Sequence, residues 1–305
     1  MENQLTRFLD NTTEQINQNM KGNYRSLHKK LTELYLDHIQ ENDKAGFIQN
    51  CRDHRLLKLL VQEPVTNRSF NKPRGYSGDA ELIDYLYRLK GPGSHDSYLA
   101  RELYADILDS SVCQSVRWRA KHLADRINEL YSKHKRPLNV MSIASGHLRE
   151  LHYIESFDQK INRFYAIDQD PKSNEEARRS LPYDQLDIRE ESIVYLIRKK
   201  FIPLQPLDFV YSAGLLDYLN NKLATRLIAS AFELVAPGGF LLVANFANGI
   251  LEQAYMEAFM DWHLIYRDED QIKQLIADVP ENSIKDLRLY RDPERNVVYM
   301  EVSKY

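Results

Sequence analysis

Hydrophobic positions follow two different periodicities along the 305-residue chain, and the change falls near Pro137. Before Pro137, apolar residues recur at steps of three and four, which is the spacing of one face of a helix. One such face consists of Leu27, Leu31, Leu34, Tyr35 and His38. After Pro137, short apolar runs alternate with amphipathic stretches, as is typical of strands followed by helices. The pattern predicts a helical region, residues 1–136, and a second region, residues 137–305.

Three stretches of the helical region predict helices with recognisable ends. The short helix in HRLLKLLVQEP should stop at Pro64, because proline disrupts a helix interior. The helix in DAELIDYLYRLKGPG should begin at the acidic cap Asp79 and end at the turn Gly91–Gly93. The longer stretch CQSVRWRAKHLADRINELYSKHK ends in basic residues, which the helix dipole favours at that end.

The second region predicts a parallel sheet that closes with a hairpin. Repeated alternation of strand and helix favours a doubly wound arrangement, and two alternating runs around residues 292–296 predict a β-hairpin. The predicted strands are 139–145, 164–170, 184–192, 207–213 and 240–246, and the predicted helices are 148–157, 171–181, 221–235, 250–265 and 268–279. The fold class is therefore α/β: a Rossmann-like seven-stranded sheet with a C-terminal antiparallel hairpin, preceded by an all-helical cap.

Composition narrows the classes of function. Charged residues make up 28% of the chain and the net charge is −3, so we expect no surface that attracts nucleic acid. The two cysteines lack metal-ligand spacing and the histidines are scattered, so we expect no metal site. The N-terminal MENQLTRFLDNTTEQ lacks the apolar core of a signal peptide, and no apolar run is long enough for a membrane helix. We expect a cytoplasmic protein without membrane insertion, whose partner is a small-molecule acceptor and whose N-terminal helices could pair two subunits as a homodimer.

Five strand–helix units followed by a hairpin resemble class I S-adenosylmethionine-dependent methyltransferases. The resemblance implies S-adenosyl-L-methionine as cofactor, bound at the carboxyl ends of the strands. These enzymes carry three spaced glycines after the first strand, where LNVMSIASGHLREL has Ala144, Gly146 and Leu148. Ser145, Gly146 and His147 are the cofactor contacts that the resemblance implies in this turn. For His147 we expect a cofactor-side or structural role rather than that of a general base.

The second strand ends in RFYAIDQDP, with an acid about twenty residues after the turn. Asp168 can accept both ribose hydroxyls of a nucleoside in a bidentate hydrogen bond, and Gln169 would lie beside the adenine. Capping the helix that starts at Pro171 is the alternative role of Asp168 and the role that we expect of Asp170. The resemblance implies further cofactor contacts after the third and fourth strands, at Glu191, Ser192, Ser212, Ala213 and Gly214.

Four motifs together resemble one bacterial subfamily: NKPRGYSGD, SIASGHLREL, YSAGLLDYL and MDWHLIYR. It is the group of extracellular-factor 3-hydroxypalmitic acid methyl ester biosynthesis proteins, and the resemblance runs from Asn71 to the C-terminus. For NKPRGYSGD it implies a lid over the cofactor, with Arg74 on the methionyl carboxylate and Tyr76 near the sulfonium. The alternative is a helix-capping turn with Asp79 as N-cap and Arg74 in solvent.

The acceptor pocket is predicted to involve the segment around MDWHLIYR. Trp262 and Tyr266 are four residues apart, on one face of a predicted helix, and the fork of Arg267 suits a substrate carboxylate. Core packing is the alternative for Trp262. The predicted acceptor-binding residues are Tyr218, Asn245, Trp262, Tyr266 and Arg267, and the predicted catalytic residues are Tyr76, Asp217 and Tyr218. For Asp217, capping of a helix is the alternative.

These residues favour a methyltransferase that acts on a small molecule, at a carboxylate or hydroxyl oxygen. Some relatives in the wider group resemble enzymes that cyclise S-adenosylmethionine to azetidine-2-carboxylate and methylthioadenosine, so a cyclase is one alternative. A non-catalytic binder or regulator is another, because the turn after the first strand keeps a single glycine. A nicotinamide dehydrogenase is disfavoured by the closing hairpin. The subfamily implies a role in bacterial secondary metabolism.

Overall fold

The computed structural model describes residues 2–18 and 24–305, so that residues 1 and 19–23 of the predicted N-terminal region lie outside the described residues. The helices, in chain order, are α1 (Glu2–Asn17), α2 (Tyr24–Gln40), α3 (Lys44–Asp53), α4 (Leu56–Leu60), α5 (Pro64–Asn71), α6 (Ala80–Leu86), α7 (Tyr98–Leu108), α8 (Ser111–His134), α9 (Phe157–Lys160), α10 (Pro171–Ser180), α11 (Ile193–Ile197), α12 (Asn221–Glu233), α13 (Gln253–Phe259) and α14 (Glu269–Gln274). The strands are β1 (Leu138–Ile143), β2 (Ile161–Asp168), β3 (Leu186–Glu190), β4 (Leu207–Ser212), β5 (Val235–Phe246), β6 (Ile284–Arg291) and β7 (Val297–Lys304).

The seven strands form one sheet in the order β3-β2-β1-β4-β5-β7-β6. Strands β1 to β5 pair in parallel, whereas β7 lies antiparallel between β5 and β6. Every residue of β1 and β4 is buried, as expected of parallel strands covered on both faces. The sheet order and the antiparallel pairs of β7 confirm the predicted α/β class, with a seven-stranded sheet and a C-terminal antiparallel hairpin. Strand order reverses between β1 and β4, which makes their carboxyl ends the switch point of the sheet.

Two compact units make up the chain. A helical unit comprises residues 1–117 and 249–263, and a sheet unit comprises residues 118–248 and 264–305. This division differs from the predicted boundary after residue 136, because the second part of α8 packs on the sheet. Within the sheet unit, the Trp118 ring lies 5.5 Å from that of Tyr299, and the Arg126 guanidinium lies 2.8 Å from the Glu301 carboxylate.

The helical unit includes α13, although this helix follows β5 in the chain. Tyr35 of α2 donates a hydrogen bond of 2.7 Å to Glu257 of α13, and Arg52 of α3 donates one of 3.0 Å to the Glu257 carbonyl. The predicted helical face is confirmed, because all five of its residues are buried: Leu27, Leu31, Leu34, Tyr35 and His38. Burial of this face therefore holds α2 in the unit.

Three predicted helix ends in the helical unit are wrong. Helix α6 ends at Leu86 rather than at the turn Gly91–Gly93. Pro64 does not stop a helix but occupies the first turn of α5, where its missing N–H has no cost. In place of the predicted helix 250–265, α13 ends at Phe259, because Asp261 has a left-handed backbone (φ 48°) and its carboxylate pairs with Arg52 and Lys72. Trp262 and Tyr266 consequently do not share a helical face, since residues 261–267 form no helix.

The helix predicted directly after β1 is also not formed as one continuous element. In place of a helix over residues 148–157, the chain forms a 3₁₀ turn at Arg149–Tyr153 and the four-residue helix α9. The other predicted helices of the sheet unit are present as α10, α12 and α14, and the strand predicted over residues 184–192 is β3.

Candidate functional site

The turn after β1 follows a left-handed path at alternate residues. The backbone angle φ is 55° at Ala144, 57° at Gly146 and 54° at Leu148. These are the three positions that align with the glycines of the methyltransferase pattern. A left-handed conformation costs a residue with a Cβ about 1–2 kcal/mol, and the Leu148 side chain is buried, which contributes to offsetting that cost. Ala144 and Leu148 therefore adopt the left-handed conformation of a glycine-rich loop, although neither residue is glycine.

Asp168 ties this turn to the end of β2. Its carboxylate accepts hydrogen bonds from the Gly146 N–H, at 2.7 Å, and from the Asp170 N–H, at 2.8 Å. A carboxylate has about four acceptor sites, so two further hydrogen bonds remain possible. Burial raises the pKa of Asp168, and the two N–H donors oppose that shift. The cap of α10 is Asp170, as predicted, since its side chain accepts from the Lys172 N–H.

A buried hydroxyl in the same turn tests whether a ligand fits here. Ser145 Oγ is buried and, among the described residues, makes no hydrogen bond. Buried polar groups are nearly always paired, so this hydroxyl is suited to a ligand beside Gly146. The residues of the turn therefore fit the cofactor that the sequence implies.

The ends of β2 and β3 meet beside Asp168. The Glu191 N–H donates to the Asp168 carbonyl at 3.1 Å, and Gln169 is exposed next to it. Ser192 occupies the N-cap position of α11 without a side-chain capping bond. The structure thus brings together Asp168, Gln169, Glu191 and Ser192 at the carboxyl edge of the sheet, while their contacts with an adenosine remain a prediction.

The end of β4 carries an arginine that the sequence did not single out. Arg119 of α8 donates to the Ala213 carbonyl at 2.5 Å, and a Cβ on Gly214 would lie 3.2 Å from the same guanidinium nitrogen. Ser212 Oγ donates to the Ile143 carbonyl at 3.1 Å, which links the ends of β4 and β1. Arg119 belongs to a helix with many basic residues, so the sequence holds no signal that separates it from its neighbours.

Arg267 is a predicted acceptor-binding residue, and the structure gives its side chain hydrogen-bond partners within the fold. This side chain is 2% exposed. Its guanidinium donates to the carbonyls of Leu216 and Leu219 and to the side-chain oxygens of Asn221 and Asn245. These bonds use the five N–H donors of an arginine. Arg267 therefore holds the turn after β4 in place and has no donor left for a substrate carboxylate.

Asn245, also predicted to bind the acceptor, is likewise hydrogen-bonded within the fold. Its amide nitrogen donates to the carbonyls of Phe246 and Ile265, each at 2.8 Å, and its oxygen accepts from Arg267 at 2.6 Å. The side chain is 1% exposed. Asn245 therefore joins the end of β5 to the segment that follows α13.

Asp217 links the turn after β4 to β5. Its carboxylate accepts from the Phe246 N–H at 2.7 Å, and its carbonyl accepts from the Ile265 N–H at 2.8 Å. The side chain is buried, and burial raises its pKa to about 6. The hydrogen bond from Phe246 and the charges of Arg119 and Arg267 lower the pKa, but by less than burial raises it. Asp217 caps no helix, since the 3₁₀ turn Leu216–Tyr218 lacks a side-chain cap.

Tyr218 ends that turn with its side chain partly exposed, at 39%. The bonds from Arg267 to Leu216 and Leu219 fix the backbone on both sides of it. Tyr266 is half-buried in the same unit. Of the acceptor-side predictions in the sheet unit, these two tyrosines keep the most accessible side chains.

Arg74, Tyr76 and Trp262 belong to the helical unit. Asp79 is the N-cap of α6, as the capping alternative predicts, and it also pairs with Arg68. Arg74 does not lie in solvent, because its side chain is 9% exposed and lies 3.3 Å from Glu81. Tyr76 is 36% exposed, whereas Trp262 is buried. The part of these three residues in a cofactor or acceptor site remains a prediction.

Among residues 2–18 and 24–305, no helix is long and apolar enough to cross a bilayer. Within the same limits, no three His, Cys, Asp or Glu side chains form a group that could hold a metal ion.

Comparisons with known proteins support the fold. No protein-family model and no curated protein matches the chain. A solved structure of a possible exported protein from Bordetella parapertussis is 18% identical, with a TM-score of 0.61 over 85% of this chain and 95% of that one. Magnesium protoporphyrin IX methyltransferase (ChlM) from Synechocystis PCC 6803 with bound S-adenosylhomocysteine is 14% identical, with a TM-score of 0.49 over 79% and 100% of the two chains. An O-methyltransferase family protein from Burkholderia thailandensis is 17% identical, with a TM-score of 0.47 over 69% and 61%. At 18% identity, the likeness to the Bordetella protein shows a shared fold.

Proposed function

We propose that this protein binds S-adenosyl-L-methionine and transfers its methyl group to a small molecule, at a carboxylate or hydroxyl oxygen. One observation carries the proposal: the Asp168 carboxylate holds the Gly146 N–H at the switch point of the sheet. Ligands of open parallel sheets bind at this point. An acid at the end of the second strand, joined to the turn after the first, is the arrangement that recognises a nucleoside.

The sheet unit supplies groups for each part of the cofactor. The two remaining acceptor sites of Asp168 suit the ribose hydroxyls, and Gln169 and the ends of β2 and β3 suit the adenine. Ser145 Oγ and the backbone of the left-handed turn suit the amino-acid part. The backbone of residues 212–214 completes this edge of the sheet.

The chemistry asks little of the protein beyond alignment. The bound cofactor supplies a methyl carbon that is already activated by the positive sulfur. The protein must hold the acceptor oxygen in line and exclude water. A carboxylate acceptor is already an anion at neutral pH and needs no base. For a hydroxyl acceptor, Tyr218 and Asp217 are the candidate proton acceptors of the sheet unit, and the partial exposure of Tyr218 favours it over the buried Asp217.

Product analysis tests the reaction type. The full-length protein is incubated with S-adenosylmethionine and a panel of hydroxy acids and fatty acids. Formation of S-adenosylhomocysteine only in the presence of an acceptor supports the proposal. Methylthioadenosine formed without an acceptor would instead identify a cyclase. If calorimetry detects no binding of S-adenosylmethionine or S-adenosylhomocysteine, the protein does not bind the cofactor.

Asp168→Asn tests the site itself. Asn keeps the shape, but its amide nitrogen cannot accept a hydrogen bond, and charge-assisted bonds contribute about 1.5–3 kcal/mol. We expect the Kd for S-adenosylhomocysteine to rise about tenfold or more by calorimetry. Asp170→Ala is the matched control, since loss of a helix cap costs about 1 kcal/mol of stability without a change in Kd. An unchanged Kd in Asp168→Asn contradicts the proposed site.

A further inference from the structure

We propose that the loop 198–206 of the sheet unit docks on an anionic lipid surface. In this contact Ile202 and Leu204 enter the headgroup region, and Arg198 and Lys200 meet lipid phosphates. The contact is peripheral rather than membrane-spanning. The loop joins α11 to the start of β4, whereas the switch point lies at the carboxyl ends of β1 and β4. The proposal is therefore independent of the proposed function.

Two aliphatic side chains of this loop lie almost entirely in water. Ile202 is 80% exposed and Leu204 is 86% exposed, and no other large hydrophobic side chain of the described residues is as exposed. A single exposed aliphatic residue is common on protein surfaces. Two of them at alternate positions of one loop instead present an apolar tip to any surface that approaches. Transfer of this tip into a lipid surface removes apolar area from water, which is favourable.

The backbone of the loop is held in this exposed path. Phe201 is buried, and its ring lies 5.2 Å from that of Tyr165 in β2. The Leu204 N–H donates to the Tyr165 hydroxyl at 3.1 Å. Pro203, between the two aliphatic residues, has a restricted φ. The loop therefore cannot turn Ile202 and Leu204 inward without losing the contacts of Phe201 and of the Leu204 N–H.

Three consecutive cations precede the apolar tip. Arg198, Lys199 and Lys200 are all exposed. Lys199 pairs with Glu233 at 2.6 Å, whereas neither Arg198 nor Lys200 has an ion pair with a residue that the structure describes. Cations close to an anionic bilayer are attracted to it, and the attraction falls off within a Debye length. The net charge of the chain is −3, so the attraction to such a surface has to be local.

The combination of an aliphatic tip and adjacent cations favours a bilayer over other partners. A symmetric contact between two copies would place the same patch against itself, and the cations of the two copies would repel each other. Single-stranded nucleic acid is bound by aromatic side chains that stack on the bases, whereas this tip is aliphatic. An anionic bilayer offers both an apolar layer and phosphate groups, which matches both parts of the loop.

Sedimentation of the full-length protein with lipid vesicles tests the proposal. We expect binding to vesicles of equal parts phosphatidylcholine and phosphatidylserine, and binding at least about tenfold weaker to phosphatidylcholine alone. Added salt should weaken the binding, because salt screens exposed charges. No binding to either vesicle, or equal binding to both, overturns the proposal.

Two double variants separate the two parts of the contact. Ile202→Ser/Leu204→Ser should lower the partition coefficient for the mixed vesicles about tenfold or more, because less apolar area leaves water. Arg198→Gln/Lys200→Gln should lower it about 10- to 30-fold, because each cation near the surface contributes to the attraction. Binding to the mixed vesicles that is unchanged in either variant overturns the proposal.

Matched controls change the same types of residue elsewhere. Leu36→Ser/Leu89→Ser replaces two exposed leucines of the helical unit, and Lys222→Gln/Lys273→Gln removes two exposed lysines of the sheet unit. Both controls should bind the mixed vesicles as the wild type does, and a loss as large as that of the loop variants overturns the proposal.

Light scattering tests the competing assignment to a second copy of the chain. We expect the oligomeric state of the wild type and of the aliphatic loop variant to be the same. A wild-type dimer that Ile202→Ser/Leu204→Ser disrupts, together with no vesicle binding, would overturn the proposal and assign the loop to an interface between copies.

Discussion

Asp217 is a carboxylate that the fold keeps away from water. It is 4% exposed, and its hydrogen bond to the Phe246 N–H joins the end of β4 to β5. Its pKa rises from 3.8 to about 6 because burial disfavours the charged form. The folded protein therefore binds this proton more tightly than the unfolded chain does. Stability from this group is present below about pH 4 and is lost as the pH rises through 6.

Asp217→Asn should remove this pH dependence, since an amide does not ionise and its oxygen can still accept from Phe246. Relative to the variant, the wild type should lose about 1 kcal/mol of unfolding free energy between pH 5 and pH 7. Urea unfolding of both proteins at the two pH values measures the difference. A gap that is independent of pH, or one that changes in favour of the wild type, contradicts the raised pKa.

At the residue scale, the sequence identified candidate polar and charged side chains, but it did not determine what each of them contacts in the folded protein. Asp168 and Asp170 could be assigned from their position after a strand and before Pro171. Arg267 and Asn245 have side-chain groups of the kind that bind substrates, yet in the structure both donate hydrogen bonds to backbone carbonyls, and Arg267 also donates to Asn245. The place of Arg119 beside the end of β4 could not be predicted, because it depends on where a long helix passes the sheet.

A bulge in β5 sets the register of the sheet at the scale of the element. Leu207 pairs with Val235, whereas Phe209, two residues on, pairs with Phe240. Over this span β5 has three residues more than β4, and they fall within APGG, residues 236–239. Gly238 has a left-handed backbone (φ 81°), and Gly239 passes so close to Asp208 that an added Cβ would lie 2.6 Å from its carbonyl oxygen.

Gly239→Ala should therefore destabilise the protein. A methyl group at this contact forces the backbone of β4 or β5 to move, and overpacking of this kind costs about 1–3 kcal/mol. Thermal unfolding should show a clear drop in Tm. Gly93→Ala is the control, because the nearest atom to its added Cβ is 3.6 Å away, on an exposed turn. A Gly239→Ala protein as stable as the control would show that the strands can separate at no cost.

Helices and strands were predictable where the hydrophobic pattern or the end signals in the local sequence were clear. The buried strands β1 and β4 read as continuous apolar runs, and α10 carried both its proline and its cap in the sequence. The end of α13 was not predictable, because its last turn is set by Asp261 pairing with Arg52 and Lys72, which are distant in sequence. Helix ends fixed by long-range ion pairs leave no local signal.

At the scale of the whole molecule, α8 decides where the sheet unit begins. A chain starting at residue 137 loses the contacts of that helix with the last two strands, among them Trp118 with Tyr299, His122 with Tyr290, and Arg126 with Glu301. Glu301 is 3% exposed, so removing Arg126 leaves it with fewer partners for a buried charge.

We therefore expect residues 137–305 to unfold at a much lower temperature than residues 111–305, or without a cooperative transition. The two fragments share every other element of the sheet unit, so the difference reports on α8. Circular dichroism on heating measures it. Equal melting temperatures would support the boundary predicted from the sequence over the one after residue 117.

The left-handed turn after β1 has a consequence for how a ligand would be received. A loop of three glycines samples many backbone shapes, and each must be frozen out on binding. Here side chains at two of the three positions remove much of that freedom, and the Gly146 amide is already fastened to Asp168. Most of the conformational entropy of this turn is therefore lost when the chain folds. A ligand that binds at this edge of the sheet would then have little further backbone entropy to remove, because the turn is already preorganised.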